Sequence, residues 1–203
     1  MLKHKLKITV NMPLSYCLKC VSDPAKFLSH SKYVVSARRI GENKYEILYK
    51  WVKWGITKYF RVVLSVERRG NEIIYRSTEE SDYEHYFIFR FQETGDKKTV
   101  VEVESGMKAG FMANLLGRKD YRGFIEEIVE KGIVALSRQF AEKLSVKEGE
   151  AGEGASCRDC LLYDVSRGYC FALRVKVEDP GKPPCNYKYY LSRRRALEAL
   201  EEQ

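Results

Sequence analysis

Two periods of apolar residues organise this chain. From residue 2 to about 105 they recur at every second position, and from 121 to 144 at every third or fourth. Leu2, Leu6, Ile8 and Val10 alternate with Lys3, Lys5, Lys7 and Thr9, which reads as a half-buried first strand. Asn11-Met12-Pro13 closes it, and residues 13–21 read as a short helix. Asp23 followed by Pro24 is an N-cap with proline at the first helical position. It opens a second short helix through Phe27 and Leu28. Six more strands are expected at 33–40, 44–53, 56–68, 72–78, 83–92 and 99–105, separated by turns such as Gly41-Glu42-Asn43, Trp54-Gly55 and Arg69-Gly70-Asn71. Tyr45, Ile47, Tyr49 and Trp51 share one face of their strand, as do Tyr83, His85, Phe87, Phe89 and Phe91 of theirs. Regular alternation with tight turns predicts an antiparallel meander.

The period then lengthens. Phe124/Ile125, Ile128/Val129, Ile133, Leu136, Phe140 and Leu144 form one apolar face, and the residues between them are mostly Arg, Lys and Glu. This is a long amphipathic helix with Gly132 as its weak interior position, and its apolar face has to be buried against the sheet. Between sheet and helix, glycines 106, 110 and 117 bracket Phe111, Met112, Leu115 and Leu116. That texture predicts a mobile loop with one helical turn, which would gate whatever lies beneath it.

The order is therefore one strand, two short helices, six strands and one long helix. With the segment Val21-Ser22-Asp23-Pro24-Ala25-Lys26-Phe27, residues 2–144 resemble the START-like, polyketide-cyclase-type (SRPBCC) superfamily, an α+β helix-grip fold. Within it the chain looks closest to the G-type proteins associated with carbon monoxide dehydrogenase. The resemblance implies a curved antiparallel sheet wrapped around the long C-terminal helix, with a cavity between them that often holds an apolar ligand. On this reading the cavity is lined by Tyr45, Tyr49, Trp51, His85, Phe87, Phe89, Phe111, Ile125, Ile128 and Leu136. A cyclase- or hydrolase-like enzyme using the same cavity is the alternative, and fold alone does not choose between them.

Residues 146–156 are small and charged without period, so they read as a linker. They divide a domain at 1–145 from a cysteine-rich module at 157–203. Four of the six cysteines, Cys157, Cys160, Cys170 and Cys185, lie in that module with gaps of two, nine and fourteen residues. So short a segment cannot build a sufficient apolar core and calls for a cross-link or a metal. An iron–sulfur cluster suits four irregularly spaced thiolates shielded by Leu161, Tyr163, Tyr169, Phe171 and Tyr187. Structural zinc is the second reading, although only Cys157/Cys160 forms a Cys-x2-Cys knuckle. Two disulfides are the third. The layout distantly resembles high-potential iron–sulfur proteins, but with a short second gap and Pro184 before the last cysteine. Cys17 and Cys20 are one helical turn apart and read as buried thiols.

Charge adds one qualification. The net +8 lies entirely in residues 1–145, where 26 Lys and Arg face 18 Asp and Glu. A basic domain suits nucleic acid or an anionic membrane surface as well as a solvated thermophile surface, toward which the scarcity of Gln also points. The tail, with Arg193-Arg194-Arg195 beside aromatics, could serve nucleic acid or a protein partner. The spacing of Leu191, Ala196, Leu197 and Leu200 instead favours a docking helix. The opening MLKHKLKITV lacks an apolar signal-peptide core and no run is long enough to span a membrane, so a cytoplasmic location is the expectation. No phosphate-cradling glycine loop or nucleophile elbow occurs. Of the three histidines only His85 falls on an aromatic strand face, where a general base would be chemically sensible, but with no carboxylate partner identifiable it reads as a satisfied core or rim histidine.

Overall fold

The structure, a computed structural model, describes every residue except Asp96, Ala109 and Gln203, with the backbone alone at 110–116. The elements run β1 (Leu2–Val10), α1 (Leu14–Val21), α2 (Pro24–Leu28), β2 (Val34–Gly41), β3 (Lys44–Lys53), β4 (Ile56–Arg69), β5 (Glu72–Ser77), β6 (Glu84–Thr94), β7 (Lys98–Lys108) and α3 (Gly110–Lys143). A 3-10 turn (Cys157–Asp159), three two-residue strands β8 (Tyr163–Asp164), β9 (Tyr169–Cys170) and β10 (Val175–Lys176), and α4 (Arg193–Glu201) follow. The first seven strands form one sheet in the order β1-β7-β6-β5-β4-β3-β2, and β2 to β6 pair antiparallel in sequence. The sheet and the long helix are those that the two periods predict, and together they make the α+β helix-grip architecture that the resemblance implies.

Local chemistry sets the boundaries. The Asp23 carboxylate caps α2 by accepting from the N–H groups of Ala25 at 3.1 Å and Lys26 at 3.3 Å. The stretch expected to be a mobile loop is mostly regular. β7 runs on to Lys108, and the helix starts at Gly110 rather than at 121. The glycines there serve different ends. Gly106 lies in β7 under the ring of Tyr86, where a Cβ would come within 2.3 Å of Cε1. Gly117, at φ 52° and ψ 160°, interrupts the helix with a conformation that costs glycine little. Gly132, the weak point of the helix by propensity, allows a close approach. A Cβ there would meet the Phe27 ring at 2.5 Å.

The chain forms two compact units. The first comprises Met1–Lys7, Leu18–Phe91 and Glu102–Gly132, and the second Ile8–Cys17, Gln92–Val101 and Ile133–Gln203. This division does not coincide with a cut near 146. Residues 147–156 and the cysteine segment share their unit with the end of β1 and the second half of α3. The first unit buries an aromatic core that includes Phe27, Tyr49, Tyr75, Phe87, Phe89 and Tyr121. Tyr75 donates its hydroxyl proton to the Val21 carbonyl, and Ser31 donates to the buried Glu127 carboxylate. The second unit has its own smaller core, with Ile8, Met12, Phe140, Leu161, Phe171, Tyr190 and Ala196 all buried.

Candidate functional site

In the first unit the alternation of β3 and β6 turns Tyr45, Tyr49, Trp51, His85, Phe87 and Phe89 inward, and all six are buried, with Ile125 and Ile128 of α3. Phe124 is the hub. Its ring lies 5.5 Å from that of Tyr49, 5.9 Å from Trp51, 5.2 Å from Tyr33, 6.3 Å from His85 and 6.4 Å from Tyr121. Beside it is an apolar cavity of about 10 Å³, lined by Tyr49, Lys50, Trp51, Phe60, Tyr83, Met107 and Phe124. That is barely room for one water and none for a ring. An open cavity was expected, but aromatic side chains from the sheet and from α3 fill it.

Of the expected lining residues, Tyr49 and Trp51 border this space. Tyr45, Phe87 and Phe89 are core residues away from it, Phe89 packing on Phe27 and Tyr75 at 5.5 and 5.1 Å. Leu136 is buried in the second unit, and the side chain of Phe111 lies outside the described residues. Lys50, Phe60, Tyr83, Met107 and Phe124 were not expected there. Phe124 could have been found, because it begins the apolar face of the helix.

His85 is 2% exposed. Its Nε2 is 3.1 Å from Ser105 Oγ and 3.4 Å from the Tyr121 hydroxyl, and those two oxygens are 2.6 Å apart. Ser105 gives its one proton to the Tyr86 carbonyl at 3.0 Å. Tyr121 and His85 Nε2 must therefore both donate to Ser105 Oγ, which makes Nδ1 the bare acceptor of the ring. Burial holds the imidazole neutral, its pKa lowered to about 3. Because Ser105 is committed to a carbonyl, His85 does not activate it as a nucleophile. Nδ1 has no hydrogen-bond partner among the described residues, and neither do the Tyr49 hydroxyl and Trp51 Nε1. Two buried donors and one buried acceptor, on three residues whose rings lie within 6.3 Å of Phe124, thus lack partners among the described residues. Each such atom costs about 1–3 kcal/mol.

In the second unit the cysteine segment is held by side-chain bonds to the backbone. Asn11 donates from Nδ2 to the carbonyls of Cys160 at 2.7 Å and Tyr163 at 3.0 Å. Asp164, fully buried, accepts from the N–H groups of Thr9 and Ser166, from the Ser166 hydroxyl and from Arg167 Nε at 2.6 Å. Asp159 accepts from Arg194 N–H at the start of α4 and from the hydroxyls of Tyr190 and Ser192. Residues 147–156 are tied in by Gly149 N–H donating to the Tyr190 carbonyl and by Arg195 bonding Glu150. Arg195 is thus engaged in an ion pair within its own unit.

Cys157, Cys160 and Cys170 are buried, and Cys185 is half-buried. Burial first, then the neighbouring Cys170 and Cys185, push the Cys157 thiol up to about 11. Burial pushes Cys160 up to about 12, opposed by backbone N–H groups of Leu191 and Leu162 and reinforced by Cys170 and Cys157. Burial also raises Cys170, against backbone groups of Leu173 and Ala172. Cys157, Cys160 and Cys170 therefore each feel the charge of at least one neighbouring cysteine. Among the described residues, no group of three or more His, Cys, Asp or Glu side chains is arranged to hold a metal ion, and no disulfide is formed.

No protein-family model matches the chain, and no curated protein does. Solved structures do match. A conserved protein from Geobacillus kaustophilus superposes with a TM-score of 0.57 at 11% identity, over 70% of this chain and 97% of that one. A START superfamily protein from Mycobacterium smegmatis gives 0.52 at 12% identity, over 64% and 92%. The chain therefore has the START-type helix-grip fold. At such identities the likeness shows fold alone.

Proposed function

We propose that the first unit binds a small hydrophobic molecule carrying one hydroxyl group. The observation that carries this is the set of partnerless buried atoms, the Tyr49 hydroxyl, Trp51 Nε1 and His85 Nδ1, around the ring of Phe124. A ligand hydroxyl accepts from the two donors and donates to the acceptor, and its apolar body takes the place of the Phe124 side chain as that ring swings aside. The ligand stabilises the fold through the apolar area it buries and through the orphaned atoms it satisfies. The resemblance to the G-type proteins of carbon monoxide dehydrogenase adds no activity to this reading. The test is thermal unfolding with 1-naphthol and with naphthalene. The proposal expects a rise in Tm with 1-naphthol that naphthalene does not match. Equal or absent shifts count against it.

The second part of the reading is a metal centre on Cys157, Cys160, Cys170 and Cys185, an iron–sulfur cluster in the first place and zinc in the second. It is supported by the mutual influence of the buried thiols and by the backbone N–H groups turned toward Cys160 and Cys170, which lower the cost of the thiolate. Such a centre supplies folding free energy directly, on the order of 10 kcal/mol for small zinc domains. Protein purified without oxygen should contain iron and be brown, or contain zinc and be colourless. Cys170→Ser should lose the metal. Metal-free protein, or a variant with full metal content, contradicts this part.

A further inference from the structure

The β3–β4 hairpin ends in a cluster of apolar side chains with nothing packed on them. Trp54 is 81% exposed, Val52 58%, and Ile56 and Tyr59 56% each. The register places Val52 opposite Thr57, Lys53 opposite Ile56 and Lys50 opposite Tyr59, so the apolar groups ring the tip on both faces. Scattered single exposures are ordinary, but four around one tip are not. Residues 47–60 include Lys50, Lys53 and Lys58 and no Asp or Glu, and Lys53 is paired at 2.6 Å with the carboxylate of Asp120.

The turn itself gives a second, independent reason. Trp54 and Gly55 sit at φ 52° and 75°, the left-handed pair of a two-residue hairpin turn. Asn or Gly fits the first of these positions, whereas a bulky aromatic is disfavoured there. The fold gains no burial from Trp54 in return. Lys53 Nζ lies 4.7 Å from the ring centre while it is paired with Asp120. An exposed indole among lysines matches the boundary between lipid acyl chains and anionic headgroups, where Trp is enriched and basic side chains are drawn to the surface.

We propose that the β3–β4 hairpin tip docks on an anionic lipid surface, with Trp54 and Ile56 entering the headgroup layer and the exposed Lys58 meeting the phosphates. No helix among the described residues is long and apolar enough to cross a membrane, so the contact is peripheral. The same two strands carry Lys50, Trp51 and Phe60 of the cavity wall, so docking sets that cavity beside the bilayer.

The experiment is co-sedimentation and tryptophan emission with vesicles of phosphatidylglycerol and phosphatidylcholine, and with phosphatidylcholine alone. The chain has two tryptophans, and Trp51 is buried, so a blue shift reports Trp54. The mixed vesicles should bind and shift the emission, and the neutral ones should not. Trp54→Asn should abolish the shift and weaken binding at least ten-fold while unfolding at the same temperature or higher, because Asn suits the turn. Lys58→Gln should weaken binding about five-fold. Equal binding to neutral vesicles, unchanged binding by Trp54→Asn, or a shift with single-stranded RNA but not with vesicles overturns the proposal.

Discussion

The two units rely on buried polar groups to different degrees. In the second, they pin backbone. Asp164 accepts from Thr9, Ser166 and Arg167, and Asn11 Nδ2 bridges two carbonyls of the cysteine segment, although Asn11 Oδ1 has no partner among the described residues. In the first, aromatic burial supplies the cohesion, and Tyr49, Trp51 and His85 each keep a buried polar atom without a partner around one ring. A unit that tolerates three orphaned atoms in one place has stability in reserve from its rings. A segment built from two-residue strands does not, and it is pinned at nearly every turn. Unsatisfied atoms gathered in a well-packed core mark where a partner is missing, and that is where a ligand is expected.

The largest effect should come from breaking the pinned side. Asp164→Ala removes the acceptor shared by Arg167 Nε and several N–H groups and should cost about 3–5 kcal/mol in a denaturant melt. Loss of less than about 1 kcal/mol would mean that the cysteine segment holds itself together in another way.

Acid should act on the aromatic side. The folded-state pKa of His85 is lowered from 6.5 to about 3, so the unfolded chain binds the proton first as pH falls. Stability is full above about pH 6.5 and declines below it, by about 3 kcal/mol by pH 4. His85→Gln should flatten that decline relative to the parent, as read from urea midpoints across the range. An unchanged slope would mean that His85 is more hydrated than its burial indicates.

Two glycines of α3 sharpen the packing argument. Gly132→Ala drives a Cβ into the buried Phe27 ring and should cost about 1–3 kcal/mol. Gly123 has nothing within 4 Å of the same added atom, so Gly123→Ala should stabilise by about 0.5–1 kcal/mol. Thermal melts of the pair should move in opposite directions. A shared direction would contradict the close approach at Phe27.

Most of the sheet was legible because alternation and turn residues agree along every strand from 34 to 94. The start of α3 was not. Three glycines in twelve residues look like a loop, yet one fits under a ring, one opens a helix and one kinks it. The inward set on β3 and β6 followed from period two, but whether the space inside is open depends on rotamers, which period does not show. His85 could be singled out by its face. Its partners could not, because Ser105 looks like a strand end and Tyr121 like a helix start. Asn11 read as a strand terminator, and its bonds to carbonyls some 150 residues away leave no local trace. Asp164 had one signal, since Asp-Val-Ser-Arg suits a side-chain-capped turn.

Calorimetric titration of 1-naphthol into the parent protein and into Tyr49→Phe tests the central claim most directly. The account predicts saturable one-to-one binding to the parent. Affinity should fall at least about five-fold in the variant, consistent with about 1–3 kcal/mol for one lost buried hydrogen bond. The variant itself should melt no lower than the parent, because it loses an unsatisfied hydroxyl. Absence of binding to the parent, or equal affinity in both proteins, would contradict it.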